Sequence, residues 1–234
     1  KLTQSFFDQR AVQYHEFAYG ERSKGVREEI KNIIDGEIYG RVIDVGGGGE
    51  AHYEIIRSTL FISFDISYQL LRKTKDNMLV YRVCGDVEDL PFKNGVFSVA
   101  ICGFLLHHLV RANSKKNDQL LKKVLSGIFT ILNDQSKIII LENCLPKFLE
   151  KVENFVFPLF KSFLEIFRQP AVRFLSNLTF CELLREAGFS DIAVIRIVEK
   201  RNWRLVSPGI ILPFLKIPHR LIPTNLYVII GKKA

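Results

Sequence analysis

The sequence predicts an α/β fold, a mostly parallel, doubly wound sheet with helices on both faces. Three observations carry this. Short apolar runs alternate with amphipathic helical stretches between Arg41 and Leu141. The first run, Arg41–Val45, ends in the four glycines Gly46–Gly49. The run Lys137–Leu141 is apolar at successive rather than alternate positions, as in a strand buried on both faces.

The elements follow in order. Phe6, Phe7, Tyr14, Phe17 and Tyr19 predict an amphipathic helix over Ser5–Gly20, and Val26, Ile30, Ile33 and Ile34 a second that stops near Gly36. Residues 1–36 thus form an N-terminal helical segment. Ala51–Arg57 reads as a helix, Leu60–Phe64 as a strand, and Ser67 as the N-cap of a helix through Leu70 and Leu71. Leu79–Val83 and Phe97–Cys102 are the third and fourth strands. Leu120, Leu121, Val124, Leu125, Ile128, Ile131 and Leu132 make one face of a long helix before the fifth strand.

Beyond the fifth strand the pattern changes. Residues 145–177 are a helical insertion, with a helix over Pro146–Phe167 that kinks or restarts at Pro158. Thr179 is expected to cap a helix ended by Gly188. Asp191–Val198 and Leu226–Ile230 are the sixth and last strands and are candidates for antiparallel pairing. Between them, residues 207–223 form a Pro-rich, apolar excursion.

A chain of 234 residues, 47% hydrophobic and 25% charged, suits one globular domain over 1–234 and not a disordered polymer. Cys84, Cys102, Cys144 and Cys181 form no CxxC pair, so free thiols in a reducing compartment are expected, with no metal centre. Lys1–Arg10 has no apolar signal core, and no uninterrupted apolar run reaches the ~20 residues of a spanning helix, so a cytoplasmic setting is expected. The net charge of +8 is uneven. From Leu145 onward 14 Lys and Arg face 7 Asp and Glu, an excess of +7. A nucleic acid, an anionic substrate, an anionic membrane surface or a merely solvated face could each account for it.

The chemistry concentrates at strand ends. In Val42-Ile43-Asp44-Val45-Gly46-Gly47-Gly48-Gly49-Glu50, glycines directly after a buried strand let backbone approach a ligand without a Cβ in the way. Asp65 follows Asp44 by 21 residues and ends the next strand, where a carboxylate can accept from both hydroxyls of a ribose, with Ile66 beside it. Gly85-Asp86-Val87-Glu88-Asp89-Leu90-Pro91-Phe92 follows the third strand, and Gly103-Phe104-Leu105-Leu106-His107-His108 the fourth.

With these motifs in this order, the stretch Val42–Leu141 resembles the S-adenosylmethionine-dependent class I methyltransferases, especially the branch of the ubiquinone and menaquinone enzymes. The resemblance implies a Rossmann-like seven-stranded sheet, mostly parallel with the last strand antiparallel, an N-terminal helical lid and a helical lid insertion after the fifth strand. It implies S-adenosylmethionine as cofactor. Asp44, Gly46 and Gly48 would hold its methionine part, Asp65 and Ile66 its ribose, and Asp86 and Val87 its adenine, with Gly103 nearby. The segment is also similar to the phosphoethanolamine branch, in which a histidine pairs with a tyrosine of the N-terminal helix. His108 matches that histidine best, and His107, Tyr14 and Tyr19 are the other catalytic candidates. This sequence departs from the family at Glu50, where a third loop glycine is usual, and at Ser98, where an acid is common.

A sulfonium methyl transfers in line to a nucleophile held opposite the sulfur, so positioning and exclusion of water can supply much of the rate. A base is needed only for a protonated hydroxyl or carbon acid, a task that suits histidine. The chain lacks the Asn/Asp-Pro-Pro-aromatic motif of amide- and adenine-nitrogen methylation and the Pro-Cys nucleophile of cytosine methylation. Both absences argue against nucleic-acid bases. The Phe-, Leu- and Ile-rich helices and excursion point instead to a small hydrophobic acceptor such as a quinone precursor, isoprenoid, polyketide or lipid. Interleaved bases such as Lys147, Lys151 and Lys161 predict salt-sensitive contact with a membrane surface. Two alternatives stand. Gly46-x-Gly48-x-x-Ala51 with Asp65 also fits a nicotinamide dinucleotide site of an oxidoreductase. Glu50 also motivates a catalytically silent subunit that stabilises a partner.

Overall fold

The computed structural model describes residues 3–9, 11, 24–48, 53, 55–73, 80–111, 113–166, 169–198, 205–206, 217–218 and 221–234. Helix α1 covers residues 3–9 and 11, and α2 covers Lys24–Ile34. Strand β1 (Gly40–Val45) leads through the glycine turn to β2 (Ser58–Asp65), α3 (Tyr68–Lys73) and β3 (Val80–Cys84). Then come β4 (Phe97–Gly103), a 3-10 turn at Leu106–His108, α4 (Ser114–Ile131) and β5 (Leu132–Cys144). The insertion is α5 (Lys147–Ile166), followed by α6 (Asn177–Glu186) and β6 (Ser190–Arg196). A two-residue ladder joins β7 (Leu205–Val206) to β8 (Ile217–Pro218), and β9 (Asn225–Lys232) closes the chain.

The seven-stranded sheet runs β3-β2-β1-β4-β5-β9-β6. The pairs among β1 to β5 are parallel, and β9 lies antiparallel to both β5 and β6. The expected fold, including the antiparallel pairing of the last two long strands, is the observed one.

Two cores form because strand side chains alternate between faces. Ile43, Val45, Ala100, Cys102, Ile138 and Ile140 face α4 and α6, against Leu121, Leu125, Ile128 and Leu184. Val42, Val99, Ile101, Ile139 and Leu141 face α2, against Ile30 and Ile34. Each such side chain removed from water contributes about 1.5–3 kcal/mol. The central strands are therefore the rigid base on which the strand-end loops stand.

Several expectations need correction. The helix expected over Ala51–Arg57 is absent where the chain is described: Tyr53 lies in a bend and Ile56–Arg57 in a turn. Ser58 N bonds Ile55 O and Gly40 N bonds Arg57 O, so the backbone there is already committed to entering β2. Ser176, not Thr179, caps α6. It has the extended backbone a cap requires (φ −80°, ψ 155°), and its side chain accepts from Thr179 N at 3.2 Å. The Thr179 hydroxyl instead donates to the Glu150 carboxylate at 2.7 Å. Helix α5 runs through Pro158 as one element, with no restart. Strand β5 begins at Leu132, directly at the end of α4, rather than at Lys137. Ser67 does cap α3, its Oγ accepting from Leu70 N at 3.2 Å. Most of the 207–223 excursion lies outside the described residues.

Candidate active site

The C-terminal ends of β3, β2, β1 and β4 are neighbours, so the sequence-predicted residues form one rim. Between β1 and β4 the strand order reverses, the place where open α/β sheets hold ligands. Asp44 sits in register between Ser63 of β2 and Ile101 of β4. Asp65 ends β2 opposite Cys84, and Gly85 N bonds Asp65 O at 3.0 Å, which sets the Asp86–Val87 loop beside it. Gly103 ends β4 beside Leu141.

The glycine turn is shaped by its missing side chains. Gly46 has φ +75°, a left-handed conformation, and a Cβ there would meet Leu105 Cδ1 at 2.8 Å. At Gly47 a Cβ would meet Asp44 Oδ2 at 2.6 Å. The turn is pinned to β2 by Gly46 N donating to Phe64 O at 2.7 Å. Gly48 N donates to Asp65 Oδ2 at 3.1 Å, and Ser67 N donates to Asp65 Oδ1 at 2.7 Å. Gly49 and Glu50 lie outside the described residues.

Asp44 and Asp65 are both buried. Burial raises the Asp44 carboxyl to about 7, the Tyr53 hydroxyl pulls it partly back, and the neighbouring Asp65 adds to the rise. Burial likewise raises Asp65 to about 6, against the backbone amides of Ser67 and Gly48. Among the described residues no cation contributes to either shift. Two buried acids at neighbouring strand ends, with no described cation beside them, favour a ligand bearing positive charge and hydroxyl donors. Asp86 is exposed and accepts from Glu88 N at 3.0 Å, which folds its loop locally, while Val87 packs on the main core.

The fourth strand end carries the histidines. Phe104 has φ +54°, an uncommon conformation for a bulky side chain, and its N–H bonds Leu141 O at 2.8 Å. The sharp exit from β4 leads to the 3-10 turn. There His107 Nδ1 lies 2.8 Å from Glu142 Oε2, and Leu106 N donates to Glu142 Oε1 at 2.7 Å. Glu142 is fully buried near the end of β5. The Phe174 ring stacks on His107 with centroids 5.3 Å apart, and Arg173 N bonds His107 O. The His108 ring meets Phe7 of α1 edge-on at 5.0 Å, and its Nδ1 is buried without a hydrogen-bond partner among the described residues. Burial, and His107 beside it, hold His108 well below the usual imidazole range, so it stays neutral. Tyr14 and Tyr19 lie outside the described residues.

Above this corner, Phe6, Phe7 and Ala11 of α1 pack with Leu70, Leu164 and Val172. Asp8 accepts from Ser67 Oγ at 2.6 Å, tying α1 to the turn after Asp65. Sequence reasoning missed Glu142, Tyr53 and Asp8. Glu142 did leave a signal, as an acid directly after the apolar Ile138–Leu141 run.

Comparison with known proteins now bears on this geometry. A family described as "Methyltransferase domain" matches residues 43–140. An uncharacterized protein of Methanocaldococcus jannaschii is 29% identical over 153 residues, covering 64% of this chain. The match spans only 59% of that relative's own length. Among solved structures, human N-acetylserotonin methyltransferase in complex with SAM superposes with a TM-score of 0.62 at 16% identity, over 100% of this chain and 59% of that one. The CurJ carbon methyltransferase gives 0.61 at 16% identity, over 100% and 61%. Residues 43–140 thus match a methyltransferase-domain family and share the fold of these neighbours, of which the human enzyme holds S-adenosylmethionine. The match weighs against the dinucleotide reading. The residues present fit the cofactor: two acids without a cation, beside a turn in which a Cβ at Gly47 would strike Asp44.

Proposed function

We propose that this chain transfers the methyl group of S-adenosylmethionine to a small hydrophobic acceptor, at a hydroxyl or an acidic carbon, with His107 as general base. The cofactor supplies an electrophilic methyl on a positively charged sulfur. Asp44, with the Gly46–Gly48 turn, would hold the methionine end, and its carboxylate would answer the charge. Asp65 and Ile66 would take the ribose, and Asp86 and Val87 the adenine. Gly103, at the end of β4, would lie nearby.

The observation that carries this reading is the His107–Glu142 pair. With Nδ1–H donated to a buried carboxylate, the imidazole presents Nε2 as the acceptor for a proton. Glu142 positions the ring and fixes its tautomer without touching the acceptor itself. The apolar cluster of α1, α3 and α5, whose Phe7 touches the His108 ring, supports a hydrophobic acceptor. A quinone precursor, isoprenoid, polyketide or lipid meets that description.

The test is incubation of the full chain with methyl-labelled S-adenosylmethionine and a panel of such compounds. Label is expected in the organic extract and is expected to vanish in His107→Ala while cofactor affinity is retained. Label only in small water-soluble compounds would overturn the acceptor class.

A further inference from the structure

We infer that the outer face of α5 docks on an anionic lipid bilayer, an inference independent of the methyl acceptor. Phe148, Val152, Phe155, Leu159 and Ile166 recur at helical spacing and form one stripe along the helix. All are exposed: Phe155 86%, Leu159 78%, Ile166 78% and Phe148 67%. A run of large apolar side chains along five turns is more than scattered surface hydrophobicity and marks a contact site.

The charges of α5 sort the other way. Of the three acids of α5, Glu150 is buried and accepts from Ser176 N at 2.9 Å, and Glu153 accepts from Phe174 N at 2.9 Å, so these two face the protein. Lys151 is exposed beside the stripe. Ser114 Oγ lies 3.4 Å from Asn154 Oδ1, which sets the first turn of α4 against the flank of α5. That turn carries exposed Lys115 and Lys116 and no acid. Lysines at a helix N-terminus oppose its dipole, so local stability does not explain them. An apolar stripe flanked by lysines complements an anionic interface, whereas a second copy would set these lysines against their own kind. The mode is lying on the bilayer: no helix among the described residues is long and apolar enough to cross it.

The test is flotation of the full chain with vesicles of phosphatidylcholine, with and without phosphatidylserine. Binding is expected to the phosphatidylserine vesicles at low salt, falling as salt rises. The double variant Phe155→Glu/Leu159→Glu is expected to lose about tenfold or more in binding, and Lys115→Glu/Lys116→Glu to lose the phosphatidylserine preference. Both should keep wild-type affinity for S-adenosylhomocysteine, which reports an intact fold. Absence of vesicle binding, or binding unchanged by the stripe variant, would overturn the inference. So would a wild-type dimer in ultracentrifugation that this variant abolishes, since the stripe would then belong to a second copy. Loss of S-adenosylhomocysteine binding in the wild type would instead count against the proposed function.

Discussion

Glu142 Oε2 lies 2.8 Å from His107 Nδ1 while its other oxygen accepts from Leu106 N, so one buried carboxylate fixes both the turn after β4 and the ring it carries. Glu142→Gln separates these roles. The amide oxygen can still accept from Leu106 N, but the amide nitrogen then faces Nδ1 and forces the proton onto Nε2. Nitrogen-15 spectra of His107 should show the Nδ1–H tautomer in the wild type and the Nε2–H tautomer in Glu142→Gln. Turnover should fall at least ~100-fold, with cofactor affinity held. An unchanged tautomer would remove Glu142 from the account.

The two buried acids make cofactor binding pH-dependent. Both carboxyls stand above their ordinary value in the ligand-free fold, Asp44 at about 7 and Asp65 at about 6. A cationic ligand with hydroxyl donors favours the ionised forms, so binding releases protons, and affinity weakens as pH falls through 7 and 6. Calorimetry in buffers of different ionisation enthalpy should count that release, and Asp44→Asn should reduce it.

The same shifts act on folding with a definite sign. Between the unfolded value near 3.8 and the folded values, the native state holds more protons than the unfolded chain, so stability falls as pH rises across that window. Above pH 7 the cost of the ionised pair is fully present. Asp44→Asn should therefore raise the melting temperature of the ligand-free protein more at pH 8 than at pH 5. An equal gain at both would show that burial of charge is not the cause.

The central strands and the ligand-bearing loops at their ends were legible in sequence because each strand is a short apolar run with a distinct stop, such as Gly46 or Gly103, while the sheet topology followed only from the resemblance. Boundaries were less so. Leu132 reads as the end of the long helix's apolar face and residues 133–136 as part of no element, yet all belong to β5, with Gln135 at φ +58° where the ladder with β4 shifts register. The cap of α6 was misplaced because Ser176 and Thr179 are both capping residue types. Only the folded chain brings Glu150 to occupy the threonine hydroxyl. Glu142 was passed over because its partner is 35 residues away in sequence and meets it only through the pairing of β4 with β5.

Arg173 joins the insertion to the body. Its buried guanidinium bonds Asp118 at 2.7 Å, Asn154 at 3.0 Å and Ser114 at 3.2 Å. Removing it takes a donor from each of them, although Ser114 Oγ still reaches Asn154 Oδ1 at 3.4 Å, and Asp118 is 42% exposed and recovers part of its loss from water. Arg173→Leu should cost about 2–3 kcal/mol in urea unfolding, less than the loss of a fully buried pair. A change below ~0.5 kcal/mol would mean the network is incidental.

The most direct test of the central claim is calorimetric titration of the full chain with S-adenosylhomocysteine, beside Asp65→Ala and Gly47→Val. One site of roughly micromolar affinity is expected in the wild type, weakened at least ~tenfold by either change, because one removes the ribose acceptor and the other drives a side chain onto Asp44. A wild-type chain that gives no heat with the ligand at millimolar concentration, while its melting curve shows it folded, would contradict the account.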